Sequence, residues 1–144
     1  MKIKDINKLE KIANNIRIGI IEQVYNAQSG HPGGSLSATD ILTVLYFNQM
    51  NIDENKPSAQ ERDRFILSKG HCSPALYATL AEKGYFPKEK LSTFRKFGGE
   101  LQGHPDMKNI RGVDMSTGSL GQGLSAAVGM AIASKMDSAR CRVY

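Results

Sequence analysis

The sequence predicts an α/β fold, mostly helical in the portion present, with a few short parallel strands. Three observations predict it. Ile6, Leu9, Ala13, Ile16 and Ile20 recur at alternating three- and four-residue spacings, which places them on one face of a helix. Arg64, Phe65, Ile66, Leu67 and Ser68 form a short apolar run between a polar loop and Lys69-Gly70, the pattern of a buried strand. Cys141-Arg142-Val143-Tyr144 reads as the first half of another strand.

Taken in order, the first helix is expected over residues 3–27, with charges on its outer face, and it stops at Gln28-Ser29-Gly30. The next has a candidate N-cap at Ser37, with Asp40 three residues on as a capping box, and an apolar stripe of Ile41, Leu42, Leu45 and Tyr46. Residues 51–63 are polar, contain Pro57 and read as a surface loop. After the strand at 64–68, His71 falls on a turn. Ser73-Pro74 then supplies an N-cap and a proline at the start of a helix that runs through Leu76, Tyr77 and Leu80 to Gly84. In open α/β sheets, ligands gather at such strand-to-helix corners. Pro87 opens a short helix over 88–96, ended by Gly98-Gly99. Residues 100–115 form an irregular loop carrying His104. A glycine-rich stretch follows, leading into a helix over 124–136 that is rich in small residues and is expected to be buried on several sides.

Composition narrows the function classes. The 144 residues suit one domain. The net charge is +5, yet Lys and Arg interleave with acids and no aromatic residues alternate with a basic stripe, so a nucleic-acid face is disfavoured. A mildly basic site for phosphorylated small molecules stays open. Cys72 and Cys141 are isolated, the N-terminal stretch has no apolar signal core, and no run approaches the ~20 apolar residues of a membrane span. A soluble, cytoplasmic protein with reduced cysteines is expected.

The chain has three histidines, each directly after a glycine: His31 in SGHPGGSLS, His71 in SKGHCSP and His104 in LQGHPDM. Their separations match no usual zinc spacing. Each alone reads as a hydrogen-bonded turn histidine; together they point to a shared site able to donate hydrogen bonds to hydroxyls and a developing oxyanion, and to move protons near neutral pH. GSLGQG, residues 118–123, sits at the mouth of a helix. Its glycines permit either anion binding by backbone N–H groups or close helix packing, and spacing alone leaves both open. Gly121, Gly123 and Ala126 match G-x-G-x-x-A, but no hydrophobic strand precedes them, which excludes a dinucleotide fingerprint. TGSLG lacks the first glycine of a nucleophile elbow, so Ser119 is a poor hydrolase nucleophile.

SGHPGGSLS, DRFILSKGHCSPALYATLAEKGYF, LQGHPDM and VDMSTGSLGQGLSAAVGMAIA, in that order from about residue 10 onward, resemble the N-terminal, diphosphate-binding region of transketolases, most closely the split form in which that region is a separate polypeptide. The resemblance implies that residues 1–144 are the front part of a thiamine-diphosphate-binding domain, and that the enzyme moves a two-carbon ketol unit from a ketose phosphate to an aldose phosphate. It implies that His31 and His104 are catalytic, contacting donor hydroxyls and the reacting oxygen. His71 would lie near the cofactor diphosphate. Gly118 and Leu120 would line the cofactor, the first through its carbonyl and the second by packing on the rings. Ser119 stands where several relatives carry proline.

In the family, the strand beginning near Cys141 continues into a Gly-Asp-Gly motif whose Asp holds the Mg2+ or Ca2+ that bridges the diphosphate. These 144 residues contain no such motif. The expectation is therefore a domain incomplete at its C-terminal side, with no metal ligands, inactive alone, and partnered by a C-terminal, pyrimidine-binding subunit in a homo- or hetero-oligomer. A deoxyxylulose-phosphate-synthase-like enzyme and a non-catalytic, truncated or assembly module are the alternatives.

Overall fold

The computed structural model describes residues 2–144. Helix α1 (Ile6–Ala27) starts where Asp5 accepts a hydrogen bond from the Lys8 amide at 3.4 Å and ends at Gln28, which adopts a left-handed conformation. It is shorter at its start than the periodicity predicts, because the Asp5 carboxylate caps it. Ala13, Ile16 and Ile20 of the expected stripe are buried, whereas Ile6 is 69% exposed. The buried face includes Gln23, whose amide donates to the Gly19 carbonyl at 2.9 Å and to the Pro74 carbonyl at 3.0 Å.

Helix α2 (Pro32–Leu36) follows immediately, with His31 at its N-cap. Helix α3 (Thr39–Val44) passes directly into a π-helical turn, Leu45–Gln49, which brings Tyr46 and Phe47 into the core. The capping box at Ser37 and Asp40 does not form. α2 already occupies the preceding turn, so Ser37 donates to the Gly34 carbonyl at 2.9 Å, and Asp40 pairs with Arg17 of α1 at 2.7 Å.

Helix α4 (Ser73–Lys83) is the centre of the molecule, with every residue from Ser73 to Ala81 buried. A helix covered all round must be apolar or hydrogen-bonded all round: Leu76, Tyr77, Ala78 and Leu80 supply the apolar surface, and the buried Thr79 hydroxyl donates to the Ala75 carbonyl at 2.7 Å. Burial of Ile16, Ile20 and Leu80, each essentially sequestered, stabilises the fold by roughly 1.5–3 kcal/mol per side chain. α1 crosses α4 at Gly19, where a Cβ would lie 3.2 Å from that of Ala78. Gly84, at φ 97°, stops α4 as the sequence predicts. Ser73 is not its N-cap; Cys72 is, and the Ser73 hydroxyl donates instead to the Gly103 carbonyl at 2.9 Å.

Two further expectations change. The helix over 88–96 is a 3₁₀ segment, Lys88–Thr93, ending at Phe94. The run at 64–68 makes no full strand: among the described residues one isolated parallel bridge joins Arg64 to Val143. Its hydrogen bonds are Arg64 N to Arg142 O (2.8 Å), Tyr144 N to Arg64 O (2.9 Å) and Ile66 N to Tyr144 O (3.0 Å). The direction is parallel, and among the described residues the pairing runs over residues 142–144, a bridge and not a ladder. Buried Asp63 closes the end of this pair, accepting from the Arg142 and Asn51 amides at 2.8 Å each.

The last helix, α5 (Gln122–Met136), departs most from expectation. Gly123 is its one buried residue, and Leu124, Val128, Ile132 and Met136 are 65%, 51%, 55% and 79% exposed. Small residues permit close approach; among the described residues α5 is approached at its first turn and again at Ser134, whose hydroxyl lies 3.2 Å from the Cys141 carbonyl. No helix among the described residues is long and apolar enough to cross a membrane.

Candidate active site

Three chain segments carrying the histidines meet at the N-terminal end of α4. The first is the turn Gly70–Cys72 itself. Gly70 is required here by space, since a Cβ would lie 2.6 Å from the Thr117 carbonyl oxygen. This presses the His71 corner against the Thr117-Gly118 loop. Thr117 secures the contact by donating its hydroxyl to the Leu67 carbonyl at 2.8 Å. One turn further on, Gly123 packs where a Cβ would lie 2.7 Å from Ser68 Cα, and the Leu124 amide donates to Ser68 Oγ at 3.1 Å. Both Gly70 of SKG and Gly123 of GQG are thus explained by close packing. The Ser68 hydroxyl takes one of the free amides at the mouth of α5, a share of what an anion would otherwise use.

The second segment is His31 with α2. Pro32 favours helix initiation directly after the histidine. Gly34 comes so close to the corner that a Cβ would meet Cys72 Sγ at 2.6 Å. The His31 and His71 rings pack edge to face, 4.9 Å between centroids at 82°.

The third segment is the His104 loop, held by α4 from beneath. The Tyr77 hydroxyl lies 2.8 Å from the Gln102 carbonyl and 3.0 Å from the His104 carbonyl, and Ser73 bonds the Gly103 carbonyl. The His104 imidazole faces Gly118: its Cδ2 would be 3.6 Å from a Cβ there. Arg95 adds a tie between loops, donating to Ser29 Oγ at 2.8 Å while packing on Gly103.

The structure therefore brings His31, His71, His104 and Gly118 to one end of α4. Leu120 stands apart on the same loop, its side chain 71% exposed. Beside Gly118 a pocket of about 190 Å³ is lined by Met115, Ser116, Thr117, Gln122 and Gly123. A larger cleft, about 570 Å³, lies between the loop at 60–64, the end of α5 and residues 139–143. It carries no histidine, and size alone does not make it the site.

Partial burial, then the charges of His31, Lys69 and His104, hold the His71 imidazole below its ordinary value, so it is neutral at physiological pH. A neutral imidazole can both donate and accept. Among the described residues, no group of three or more His, Cys, Asp or Glu side chains could hold a metal ion. The three histidines do not form such a group, and the side chains gathered here do not fit a divalent cation.

Two supporting residues have no sequence signal. Lys69 reaches from the His71 corner to the Gly34 carbonyl at 2.6 Å and Ser37 Oγ at 3.1 Å. Asp106 accepts from the Lys108 amide at 3.0 Å, from Asn109 at 2.6 Å and from Ser116 Oγ at 3.3 Å, which fastens the His104 loop to the start of TGSLG. These donors hold its carboxyl below the usual carboxylate value. DxxN within GHPDMKN could have hinted at a local turn, but nothing in the sequence announces Ser116 as the partner.

Residues 8–142 match the family described as transketolase, thiamine diphosphate binding domain. The chain is 52% identical over 136 residues to the 6-deoxy-6-sulfo-D-fructose transketolase subunit of Clostridium sp. (strain MSTE9), covering 94% of this chain and 50% of that one. It is 45% identical over 139 residues to an apulose-4-phosphate transketolase subunit of Phocaeicola vulgatus, covering 96% and 49%. Among solved structures, transketolase from Leishmania mexicana superposes with a TM-score of 0.84 at 39% identity, covering 87% of this chain and 19% of that one. The chain thus spans about half the length of the two bacterial relatives.

Proposed function

We infer the function from one premise: this chain belongs to the transketolase family, through its thiamine diphosphate-binding domain. We propose that residues 1–144 form one wall of a ketol-transfer site in a larger assembly, completed by the rest of the domain and by a C-terminal, pyrimidine-binding subunit. The observation that carries this reading is the meeting of the three glycine-histidine corners with Gly118 at the head of α4.

Thiamine diphosphate, when bound, supplies the electron sink for breaking and making the carbon–carbon bond. This chain's share is orientation and protons. His31 and His104, both exposed, would donate hydrogen bonds to donor hydroxyls and hold or move a proton at the reacting oxygen. His71 would donate a hydrogen bond to the diphosphate. Gly118 would offer its carbonyl to the aminopyrimidine, and Leu120 would close on the rings. A Mg2+ or Ca2+ ion would take its ligands from outside these residues. The two bacterial relatives are named for ketoses bearing a sulfonate or phosphate group; an anionic ketose is the donor class proposed here, in a cytoplasmic enzyme of sugar-phosphate metabolism.

The test is ketol transfer by the assembled enzyme, with thiamine diphosphate and Mg2+. His31→Ala and His104→Ala are each expected to lower kcat/KM by about 10²–10⁴. Residues 1–144 alone are expected to show neither transfer nor Mg2+-dependent cofactor binding by calorimetry. An assembled wild-type enzyme that transfers no ketol group refutes the reading.

A further inference from the structure

Lys69 directs its ammonium back across the fold. Nζ lies 2.6 Å from the Gly34 carbonyl and 3.1 Å from Ser37 Oγ, and the side chain is half buried. Both acceptors belong to α2 and the residue that caps its C-terminal end. Among the described residues no carboxylate pairs with this cation.

The tie matters because α2 is five residues long. A helix that short has no stability of its own and lies wherever its contacts place it. It also begins at His31, and Ser35 reinforces that start by donating its hydroxyl to the His31 carbonyl at 2.8 Å. The contacts between α2 and the His71 corner include the approach of Gly34 to Cys72 and the hydrogen bonds of Lys69, beside a bond between the Ser35 and Cys72 side chains. The first is non-directional packing. The second fixes distance and angle.

We propose that Lys69 is a positioning residue: bonded to the Gly34 carbonyl and the Ser37 hydroxyl, it clamps α2 so that the His31 imidazole stays edge-on to His71. The effect on turnover rests on the donor-binding role proposed for His31; the clamp itself does not. Lys69→Met keeps the apolar stem and deletes the donors. Small misplacements at a reacting centre are costly, so in the assembled enzyme this variant is expected to raise the donor KM about tenfold. The kcat at saturating donor falls by no more than a similar factor, and the thermal midpoint stays near the parent value. Lys69→Arg, with its several N–H donors, recovers most of the loss. Ser37→Ala removes one acceptor while leaving the cation in place, and gives a smaller rise in the same direction. Independently of turnover, the ring-proton NMR shifts of His31 and His71 in the holoenzyme move together in Lys69→Met, because each ring sits in the other's shielding field.

Unchanged KM and unchanged shifts overturn the proposal. So does weakened cofactor binding with the donor KM intact, which would make Lys69 a direct ligand. A KM rise that tracks a falling thermal midpoint and is not rescued by arginine also overturns it. If the wild-type assembly transfers no ketol group, the functional reading fails while the ring shifts still decide the clamp.

Discussion

Gly70 has no room for a side chain, since a Cβ there would lie 2.6 Å from the Thr117 carbonyl oxygen. Gly70→Ala must push the His71 corner away from the Gly118 loop, and overpacking of this kind costs about 1–3 kcal/mol. Gly33 is the control: a Cβ there meets nothing within 4 Å, so Gly33→Ala is expected to leave the urea midpoint unchanged or slightly raised. His71 itself yields a pH prediction. Its folded-state value is depressed, so the unfolded chain binds this proton at higher pH. Its contribution to stability is complete above the ordinary value of about 6.5 and is lost as pH falls through the folded value. NMR titration should place the His71 midpoint below that of an unstructured peptide, and His71→Asn should flatten the fall in stability on the acid side. Glycine before histidine was visible in the sequence because tight packing needs a specific residue type. Lys69 and Asp106 were not, because surface lysines and aspartates are common. Their partners lie at Gly34, 35 positions away, and at Ser116, 10 positions away, and only the fold brings them near.

At the scale of elements, α4 is both core and scaffold. Tyr77 illustrates this: its ring is fully buried against Phe94, while its hydroxyl holds the carbonyls of Gln102 and His104. Burial pushes the phenol well above its ordinary value, so it stays a donor at any working pH. Tyr77→Phe retains the packing and removes the tether. The expected loss is about 0.5–1.5 kcal/mol in urea unfolding, together with faster amide exchange confined to the His104 loop. The apolar pattern predicted α1 and α4 because their partners lie within the described chain. It failed for α5, where composition reports what a helix can bury and not what is present to bury it. The run at 64–68 failed similarly: its side chains suit a strand, but a strand exists only through its neighbours, and three residues of neighbour give a bridge.

For the whole molecule, the candidate site depends on loops being stitched together, and the most deeply buried ion pair among the described residues lies away from it. Arg62 and Asp114 form an ion pair with side chains 8% and 3% exposed. The Asp114 carboxylate also accepts the Phe65 amide at 2.9 Å, and Arg62 donates to the Asp63 carbonyl at 3.0 Å. The long loop after α3, the bridge segment and the chain entering Ser116-Thr117-Gly118 thus share one buried knot. Desolvating two charges costs nearly what their attraction returns, so the pair is not a large net stabiliser, but losing one member strands the other. Asp114→Ala is therefore expected to destabilise by about 3–5 kcal/mol. The double variant Arg62→Met/Asp114→Leu, which replaces the knot by apolar volume, should recover most of that loss. A double-mutant cycle in urea measures the coupling directly. Recovery of stability without recovery of the Gly118 loop's amide protection would separate the two roles of the knot: holding the fold, and setting where the site loop enters it.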